Sequence, residues 1–317
     1  MSTYEKLPVH EKEEYKEILE NAEKLNLDFY NKEKILAFGE EYGILPDEMK
    51  EGVLKALEEI KDDEDYKKIC NAIYCFMQKE IYVNDLMPDY NEGFKAEFVN
   101  FFPVWYMAED FAKRTLERGV PKQIISDSLL GISANVLKQK ARGRFGTSAS
   151  CDWIQLFAQG HIFQVNDFQY QIVNQDGDDM LAIHIPPKTR LNVLDNAKAF
   201  KEGLEFFDKY YPEYNMTGLR CRSWLLATEI EEAMGRPTNI SRFGDMFERY
   251  DLGDTKGEAV FHWVFGQKKP YPPIEELPED TSMQRKIKEY MLSGKRVYVK
   301  GGFISREKLN NMINELE

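Results

Sequence analysis

Apolar residues recur every three to four positions through the first half of the chain, the spacing that places them on one face of an α-helix. This pattern predicts helices over residues 11–26, 47–60, 64–80, 104–118 and 121–140. Gly119 and Pro121 follow the fourth of these ranges, where helix-ending residues are expected. The first half of the chain is therefore predicted to be helical.

The pattern changes to strand-like runs in the second half. Ile162–Val165 and Phe168–Val173 flank Asn166 and Asp167, an arrangement that predicts a β-hairpin. Three further runs predict strands, namely Leu181–Ile185, Leu219–Leu226 and Val260–Phe265. Helices are predicted over 193–210 and 228–235, and from a Thr281 cap to Ser293, and Arg296–Ile304 closes the chain as strands.

The change of period falls near residue 146 and divides the chain into two predicted domains. Residues 1–146 form a helical N-terminal domain, and residues 147–317 form an α/β domain of the α+β kind. A hairpin favours antiparallel pairing, whereas a helix that returns the chain to a neighbouring strand favours parallel pairing. The second domain is therefore predicted to contain a mixed sheet with flanking helices.

Composition places the chain among ordinary globular proteins. Its 317 residues, 43% hydrophobic and 31% charged, are enough for two domains with substantial cores. A net charge of −13 opposes binding to a phosphate backbone, so no nucleic-acid partner is predicted. The densest basic stretch, Lys138–Arg144, is interpreted as a solvated helix end, and the alternative is an anion-binding loop.

The sequence predicts a cytoplasmic protein without a membrane partner. No run approaches the roughly 20 apolar residues that span a bilayer. The first residues lack the apolar stretch of a signal peptide. Four cysteines in a chain of this length do not make a disulfide framework, which is consistent with a reducing compartment.

Common metal and nucleophile motifs are not found in the sequence. The four histidines have neither HExxH spacing nor cysteine partners at zinc-site spacing, so no metal is predicted. Cys70 and Cys75 lie five residues apart on a predicted helix and do not share a face. There is also no GxSxG elbow, no GxxxxGK[S/T] loop and no strand-linked GxGxxG motif.

Five separated segments of the second half form a recognisable series. They are LAIHIPP at 181–187, the helix end from Phe206 to Pro212, CRSWLL at 221–226, TNIS at 238–241 and LPEDTSMQR at 277–285. In this order they resemble the C-terminal domain of a bacterial family of acyltransferase-domain proteins with a GNAT-like fold. The N-terminal helices are similar to the helical domain of that family. Thr238 and Met283 depart from the serine and leucine that the family usually has.

The resemblance implies a co-substrate and a reaction. GNAT enzymes transfer an acyl group from coenzyme A to an amine, so acyl-coenzyme A is the expected co-substrate and a small molecule the expected acceptor. In such folds the pantetheine arm of coenzyme A lies where two parallel strands separate, here 181–185 and 219–226. The loop between them departs from the glycine-rich phosphate loop of GNAT enzymes, because Pro186 and Pro187 lack N–H donors.

Lys188, Thr189 and Arg190 follow these prolines and are the candidate coenzyme A-binding residues. A lysine supplies a point charge and an arginine a two-pronged donor for phosphate oxygens. The alternative is that the two cations are solvated loop residues.

Three residues are candidates for the chemistry. His184 is a candidate base for the amine, and Ser223 is a candidate acid for the departing thiolate. The alternative for His184 is a structural role as a partly buried histidine, and the alternative for Ser223 is a strand serine whose hydroxyl is bonded to the backbone. Cys221 suits acyl-enzyme chemistry only if its pKa is lowered.

Three functions are therefore open. The first is an acyl-coenzyme A-dependent N-acyltransferase with an unspecified acceptor. The second is a non-catalytic protein of the same fold that binds an acyl-coenzyme A or another small ligand. The third is a thiol hydrolase that uses Cys221 with His184.

Overall fold

The computed structural model describes residues 2–83, 86, 88, 93–141 and 143–316. The chain divides into two compact units, Met1–Gln164 and Val165–Glu317. Arg142, one cation of the predicted basic stretch, lies outside the described residues.

The first unit is helical, as the apolar spacing predicts. Its α-helices are α1 (Lys16–Lys24), α2 (Lys32–Tyr42), α3 (Asp47–Ile60), α4 (Glu64–Gln78), α5 (Gly93–Glu97), α6 (Phe101–Glu117), α7 (Lys122–Lys140) and α8 (Cys151–Gln159). The five predicted helices correspond to α1, α3, α4, α6 and α7. Short 3-10 helices cover Tyr4–Lys6, Pro8–Glu11, Glu13–Tyr15 and Ser148–Ser150.

Aromatic side chains form much of the core of the first unit. Phe98, Phe101, Phe102 and Trp105 are all fully buried. The rings of Phe101 and Trp105 stack with centroids 4.9 Å apart. Each such side chain contributes roughly 1.5–3 kcal/mol through burial, so the cluster is a main source of the stability of this unit.

A six-stranded mixed sheet organises the second half of the chain. Its strands are β1 (Ile162–Val165), β2 (Phe168–Gln175), β3 (Asp178–His184), β4 (Met216–Ser223), β5 (Glu248–Asp251) and β6 (Lys300–Ser305). Their order across the sheet is β1-β2-β3-β4-β6-β5. The β3–β4 pair is parallel, while β2–β3, β4–β6 and β5–β6 are antiparallel. The predicted mixed sheet is confirmed.

Helices of the second unit connect and cover these strands. They are α9 (Val193–Tyr210), α10 (Thr228–Met234), α11 (Asn239–Asp245), α12 (Ala259–Trp263), α13 (Ser282–Leu292) and α14 (Arg306–Leu316). The predicted helix over 193–210 coincides with α9. The predicted strand Val260–Phe265 is wrong, because α12 occupies most of it. Leu226 ends a 3-10 helix, Trp224–Leu226, where a continuing strand was predicted.

Side-chain alternation gives the sheet one face that α9 covers. Tyr170 pairs with Ile183 and Ile183 pairs with Cys221, so the three share a face, and all three are buried. The Tyr170 hydroxyl donates to the Ala199 carbonyl of α9 at 2.9 Å. A Cβ at Gly203 would lie 2.6 Å from the Tyr170 ring, so α9 packs closely here. We call this side the helix-covered face.

The opposite side of the sheet carries polar residues. Gln171 pairs with Ala182, and Ala182 pairs with Arg220. His184 lies two residues beyond Ala182 and therefore points to the same side. We call this side the polar face.

The division between the two units falls later than the predicted domain boundary. Residues just after 146 are bonded within the first unit, since Thr147 Oγ1 donates to Asn100 Oδ1 at 2.7 Å and Ser148 Oγ to the Glu97 carbonyl at 2.9 Å. Helix α8 packs on α6 and α7. The boundary at residue 146 stays a prediction.

Candidate active site

The ladder between the parallel strands β3 and β4 stops near their carboxyl ends. Their pairing runs to Ile183 and Cys221. Beyond that point β4 remains paired with β6 as far as Ser223, opposite Lys300. Strand β3 ends at His184. The last residues of β3 and β4 therefore border a place where the ladder between the two strands has stopped, and we call this place the strand gap.

His184 lies at the strand gap on the polar face, and β2 holds its ring. Its Nε2 is 3.0 Å from Oε1 of Gln171. An amide oxygen only accepts, so this contact makes Nε2 the protonated nitrogen of the neutral ring. Gln171 thus fixes both the orientation and the tautomer of the predicted base.

Burial and a neighbouring cation keep the His184 ring neutral. Desolvation by burial and, to a smaller extent, the Arg220 charge together lower the pKa of His184 to about 4. Arg220 lies on the same face and donates from Nη1 to Gln175 Oε1 at 2.8 Å. At neutral pH the imidazole is therefore in the form that accepts a proton.

Gln171 and Arg220 are site residues that the sequence analysis missed. Both lie on the polar face beside His184, and both are half-buried. Side chains alternate between the two faces of the sheet along β2 and β4, and this alternation was the signal available in the sequence. It shows which residues are neighbours only when the register between strands is known.

Ser223 is the last residue of β4 and caps the 3-10 helix that follows. Its Oγ accepts from the Leu225 N–H at 3.1 Å. A hydroxyl that accepts one hydrogen bond still has its own proton to donate. By alternation Ser223 shares the helix-covered face with Cys221, so Ser223 and His184 lie on opposite sides of the sheet at the strand gap.

Cys221 is a core residue of the sheet. It is 2% exposed, and burial raises the pKa of its thiol to about 12. Thiolate chemistry needs the reverse shift and an open approach. Its surroundings therefore do not favour the thiol-hydrolase hypothesis.

The loop between β3 and α9 forms a turn that exposes two cations. Thr189 closes the turn, since its N–H and its hydroxyl both donate to the Pro186 carbonyl, at 3.3 and 2.8 Å. Lys188 has a φ of 73°, and its side chain and that of Arg190 are exposed. Within the described part of the chain, neither cation has an ion-pair partner.

The loop leads into the N-terminus of α9. Asn192 caps this helix, its Oδ1 accepting from the Asp195 N–H at 3.1 Å. A helix of 18 residues places a partial positive charge at this end. Because α9 connects two parallel strands, it runs against them, and its N-terminus lies at the carboxyl ends of β3 and β4. Lys188, Arg190 and the helix end are thus at the same edge of the sheet as the strand gap.

Two of the segments that carried the family resemblance stabilise the fold. Thr238 and Ser241 form a reciprocal capping box at the start of α11, and Thr281 and Gln284 form another at the start of α13. Lys288 of α13 donates to the Glu275 and Leu277 carbonyls and to the Glu279 carboxylate, each within 3.0 Å. These contacts hold residues 275–279, which include Pro278, against α13.

The predicted basic stretch includes the end of α7. Lys140 pairs with Glu48 at 2.7 Å, and Arg144 donates to Gln139 Oε1 at 3.2 Å. These contacts are consistent with a solvated helix end.

No group of three or more histidine, cysteine, aspartate or glutamate residues in the described ranges is arranged to hold a metal ion. Across the same ranges, no helix combines the length and the apolar character that crossing a membrane requires.

Residues 106–304 match the model of the family described as "GNAT-like C-terminal domain". The match spans more than half of the chain, so the chain belongs to this family. The predicted resemblance is confirmed.

Solved structures with the same fold are acyltransferases. One, in complex with CoA and 10C-teicoplanin, has a TM-score of 0.78 at 17% identity, with 96% of this chain and 99% of that chain covered. Another, with decanoyl-CoA and teicoplanin, has a TM-score of 0.74 at 18% identity, covering 96% and 99%. A mutant acyltransferase with octanoyl-CoA has a TM-score of 0.74 at 17% identity, covering 86% and 88%. The search of curated proteins gives no match.

Proposed function

We propose that the protein is an acyl-coenzyme A-dependent N-acyltransferase. The observation that carries the proposal is the strand gap, because the carboxyl ends of β3 and β4, the N-terminus of α9 and two exposed cations meet at one edge of the sheet. Unpaired backbone groups at such a gap can bind an amide-rich pantetheine arm. The ligands of the structural neighbours, octanoyl- and decanoyl-coenzyme A, agree with this co-substrate.

In the proposed reaction the acceptor nitrogen attacks the thioester carbonyl carbon. The new C–N bond forms a tetrahedral adduct, whose nitrogen proton passes to His184, and the C–S bond then breaks. Ser223 gives its proton to the departing sulfur, and the proton held by His184 returns to Ser223 through solvent, so that both residues are regenerated. The products are an amide and free coenzyme A. The pKa of His184, about 4, makes it a weak base, but the adduct nitrogen is far more acidic than a free ammonium ion.

The two sides of the sheet have different roles in this proposal. His184 on the polar face receives the acceptor amine, and Ser223 on the helix-covered face lies on the side of the leaving thiolate. Lys188 and Arg190 bind the coenzyme A phosphates together with the positive end of α9.

A release assay for free coenzyme A thiol tests the proposal. Decanoyl-coenzyme A and a panel of primary amines, with teicoplanin among them, are the substrates, and the structural neighbours motivate both choices. We expect His184→Gln to lower kcat about 10²-fold or more, the scale of a lost general base. His161→Gln, a matched change at another partly buried histidine, should leave kcat within about twofold.

The outcomes separate acyl transfer from simple binding. The loop is poor in backbone donors, because Pro186 and Pro187 have no N–H and Thr189 uses its N–H within the turn. Compared with a glycine-rich loop, this arrangement favours the alternative function, a non-catalytic binding protein. A wild-type protein that binds acyl-coenzyme A but releases no thiol with any amine would support that alternative. Undiminished turnover in His184→Gln would remove His184 from the chemistry.

A further inference from the structure

Asn196 is a buried polar residue in the first turn of α9. It follows the cap Asn192 by four residues, and its N–H donates to the Asn192 carbonyl at 2.9 Å. Its side chain is 2% exposed. A side chain leans toward the N-terminus of its helix, so the Asn196 amide is directed toward the carboxyl edge of the sheet.

The buried face of α9 contains Asn196 and continues through Ala197, Phe200 and Gly203. Phe200 contacts the Phe168 ring with centroids 4.9 Å apart, and Gly203 packs on Tyr170. This is the helix-covered face of the sheet, on which Ser223 also lies at the strand gap. Asn196 is therefore on the side to which the proposed function assigns the leaving thiolate.

The Asn196 amide nitrogen is exceptional in its unit. Among the described residues of Val165–Glu317, it is the only buried side-chain nitrogen or oxygen atom without a hydrogen-bond partner. The other buried polar residues of this unit, Ser241 and Lys288, are both bonded. Buried donors are nearly always satisfied, so an orphan donor in a native core calls for a partner, which is either an ordered water or a bound ligand.

We propose that Asn196 Nδ2 donates a hydrogen bond to a carbonyl oxygen of the bound acyl-pantetheine arm. A neutral donor in a buried position suits an amide or thioester carbonyl better than a phosphate, whose charge calls for the exposed cations Lys188 and Arg190. Asn196 is then a binding residue for the co-substrate, or for the developing oxyanion if the carbonyl is the thioester. This inference rests on the proposed function.

The test compares ligands that do and do not contain pantetheine. Calorimetry would measure Kd for coenzyme A, decanoyl-coenzyme A and adenosine 3′,5′-bisphosphate with the full-length protein and its variants. Asn196→Leu keeps the branched shape of the side chain and removes the donor, and Asn196→Ala is the second variant if the larger leucine does not fold. Asn71→Leu is the matched control, a buried asparagine of the first unit that donates to the Leu25 carbonyl.

We expect Asn196→Leu to melt at or above the wild-type temperature, because removing an unsatisfied donor from a core does not weaken it. Its Kd for the pantetheine ligands should rise about tenfold, the scale of one lost hydrogen bond to a ligand. Its Kd for the bisphosphate should stay unchanged. Equal losses for coenzyme A and decanoyl-coenzyme A would assign a pantetheine amide, and a loss confined to decanoyl-coenzyme A would assign the thioester carbonyl.

Two results would overturn the inference. One is unchanged Kd values in a folded Asn196 variant, which would mean that water satisfies the amide. The other is an equal loss for the bisphosphate, which would place the contact at the nucleotide. A wild-type protein that binds none of the three ligands would defeat the proposed function as well as this inference, whereas binding that ignores the variant defeats this inference alone.

Discussion

At the scale of single residues, the environment of His184 combines a fixed ring with a neutral charge state. Gln171 accepts from Nε2, and burial together with Arg220 disfavours the imidazolium ion. A base that stays neutral remains able to accept a proton throughout the physiological range. The same environment links the stability of the protein to pH.

We expect His184 to make the folded state less stable as pH falls from about 6.5 to about 4. In that window the unfolded chain binds a proton at His184, because its ordinary pKa is 6.5, while the folded protein does not until about pH 4. Unfolding therefore takes up protons, and the free energy of unfolding decreases toward low pH. Above pH 6.5 this contribution is complete and constant.

Urea unfolding of wild type and His184→Gln at pH 7, 5.5 and 4.5 measures this effect. The wild-type free energy of unfolding should fall more steeply than that of the variant between pH 6.5 and 4. The pKa of His161 is also lowered by burial, and comparison with the variant cancels its contribution. Parallel pH profiles would show that the folded-state pKa of His184 is not depressed.

At the scale of elements, the loop 186–192 and the N-terminus of α9 together form the proposed binding site for the coenzyme A phosphates. The protein carries a net charge of −13, which repels anionic coenzyme A, so local cations have to offset that field. We expect Lys188→Ala with Arg190→Ala to raise the Kd for coenzyme A about tenfold or more and to reduce its dependence on salt.

The control for this prediction changes two cations at other positions of α9. Lys201→Ala with Lys209→Ala makes the same change in net charge, and both residues lie beyond the first turns of the helix. A titration at two salt concentrations separates the effects of position and charge. Equal weakening by the two double variants would mean that net charge, rather than the loop, governs affinity.

The elements also show what the sequence could and could not predict. Helix α9 has an apolar face 18 residues long, and its bounds were predicted correctly. Residues 260–265 form a short run in which only His262 is not hydrophobic, and such a run suits a helix turn as well as a strand, so length alone could not decide. Strand β5, Glu248–Asp251, was missed because it is a polar edge strand whose pairing with β6 comes from tertiary structure.

The residues of the candidate site also divide into those that the sequence could predict and those that it could not. His184 and Ser223 could be predicted because they lie within segments that resemble a family and border a strand–loop–helix sequence. Gln171, Arg220 and Asn196 could not, because their roles depend on register between strands and on burial without a partner. Such properties arise only when distant parts of the chain meet.

At the scale of the whole molecule, the predicted domain boundary and the observed compact units place α8 on different sides. The sequence predicts a boundary at residue 146, which assigns α8 to the second domain, whereas the compact units divide after Gln164. Thr147 is bonded to Asn100, and α8 packs on α6 and α7. We therefore expect the stability of α8 to follow that of the first unit.

Two glycine substitutions that overpack one unit each can decide this. A Cβ at Gly52 would lie 2.6 Å from the Phe98 ring, and a Cβ at Gly203 would lie 2.6 Å from the Tyr170 ring. Overpacking a buried ring costs typically 1–3 kcal/mol, more than the roughly 1 kcal/mol that alanine gains over glycine in a helix. Neither glycine lies on α8, so any effect on α8 must come through the unit that contains it.

Hydrogen exchange of the α8 amides, measured by mass spectrometry, reports which unit α8 unfolds with. We expect Gly52→Ala to speed exchange in α8 together with α3 and α6, and Gly203→Ala to speed exchange in β2, β3 and α9 while leaving α8 unchanged. The reverse result would support the boundary at 146, with α8 as the first element of the sheet domain. Faster exchange of α8 in both variants would mean that the two units unfold as one, and neither boundary would then separate independent domains.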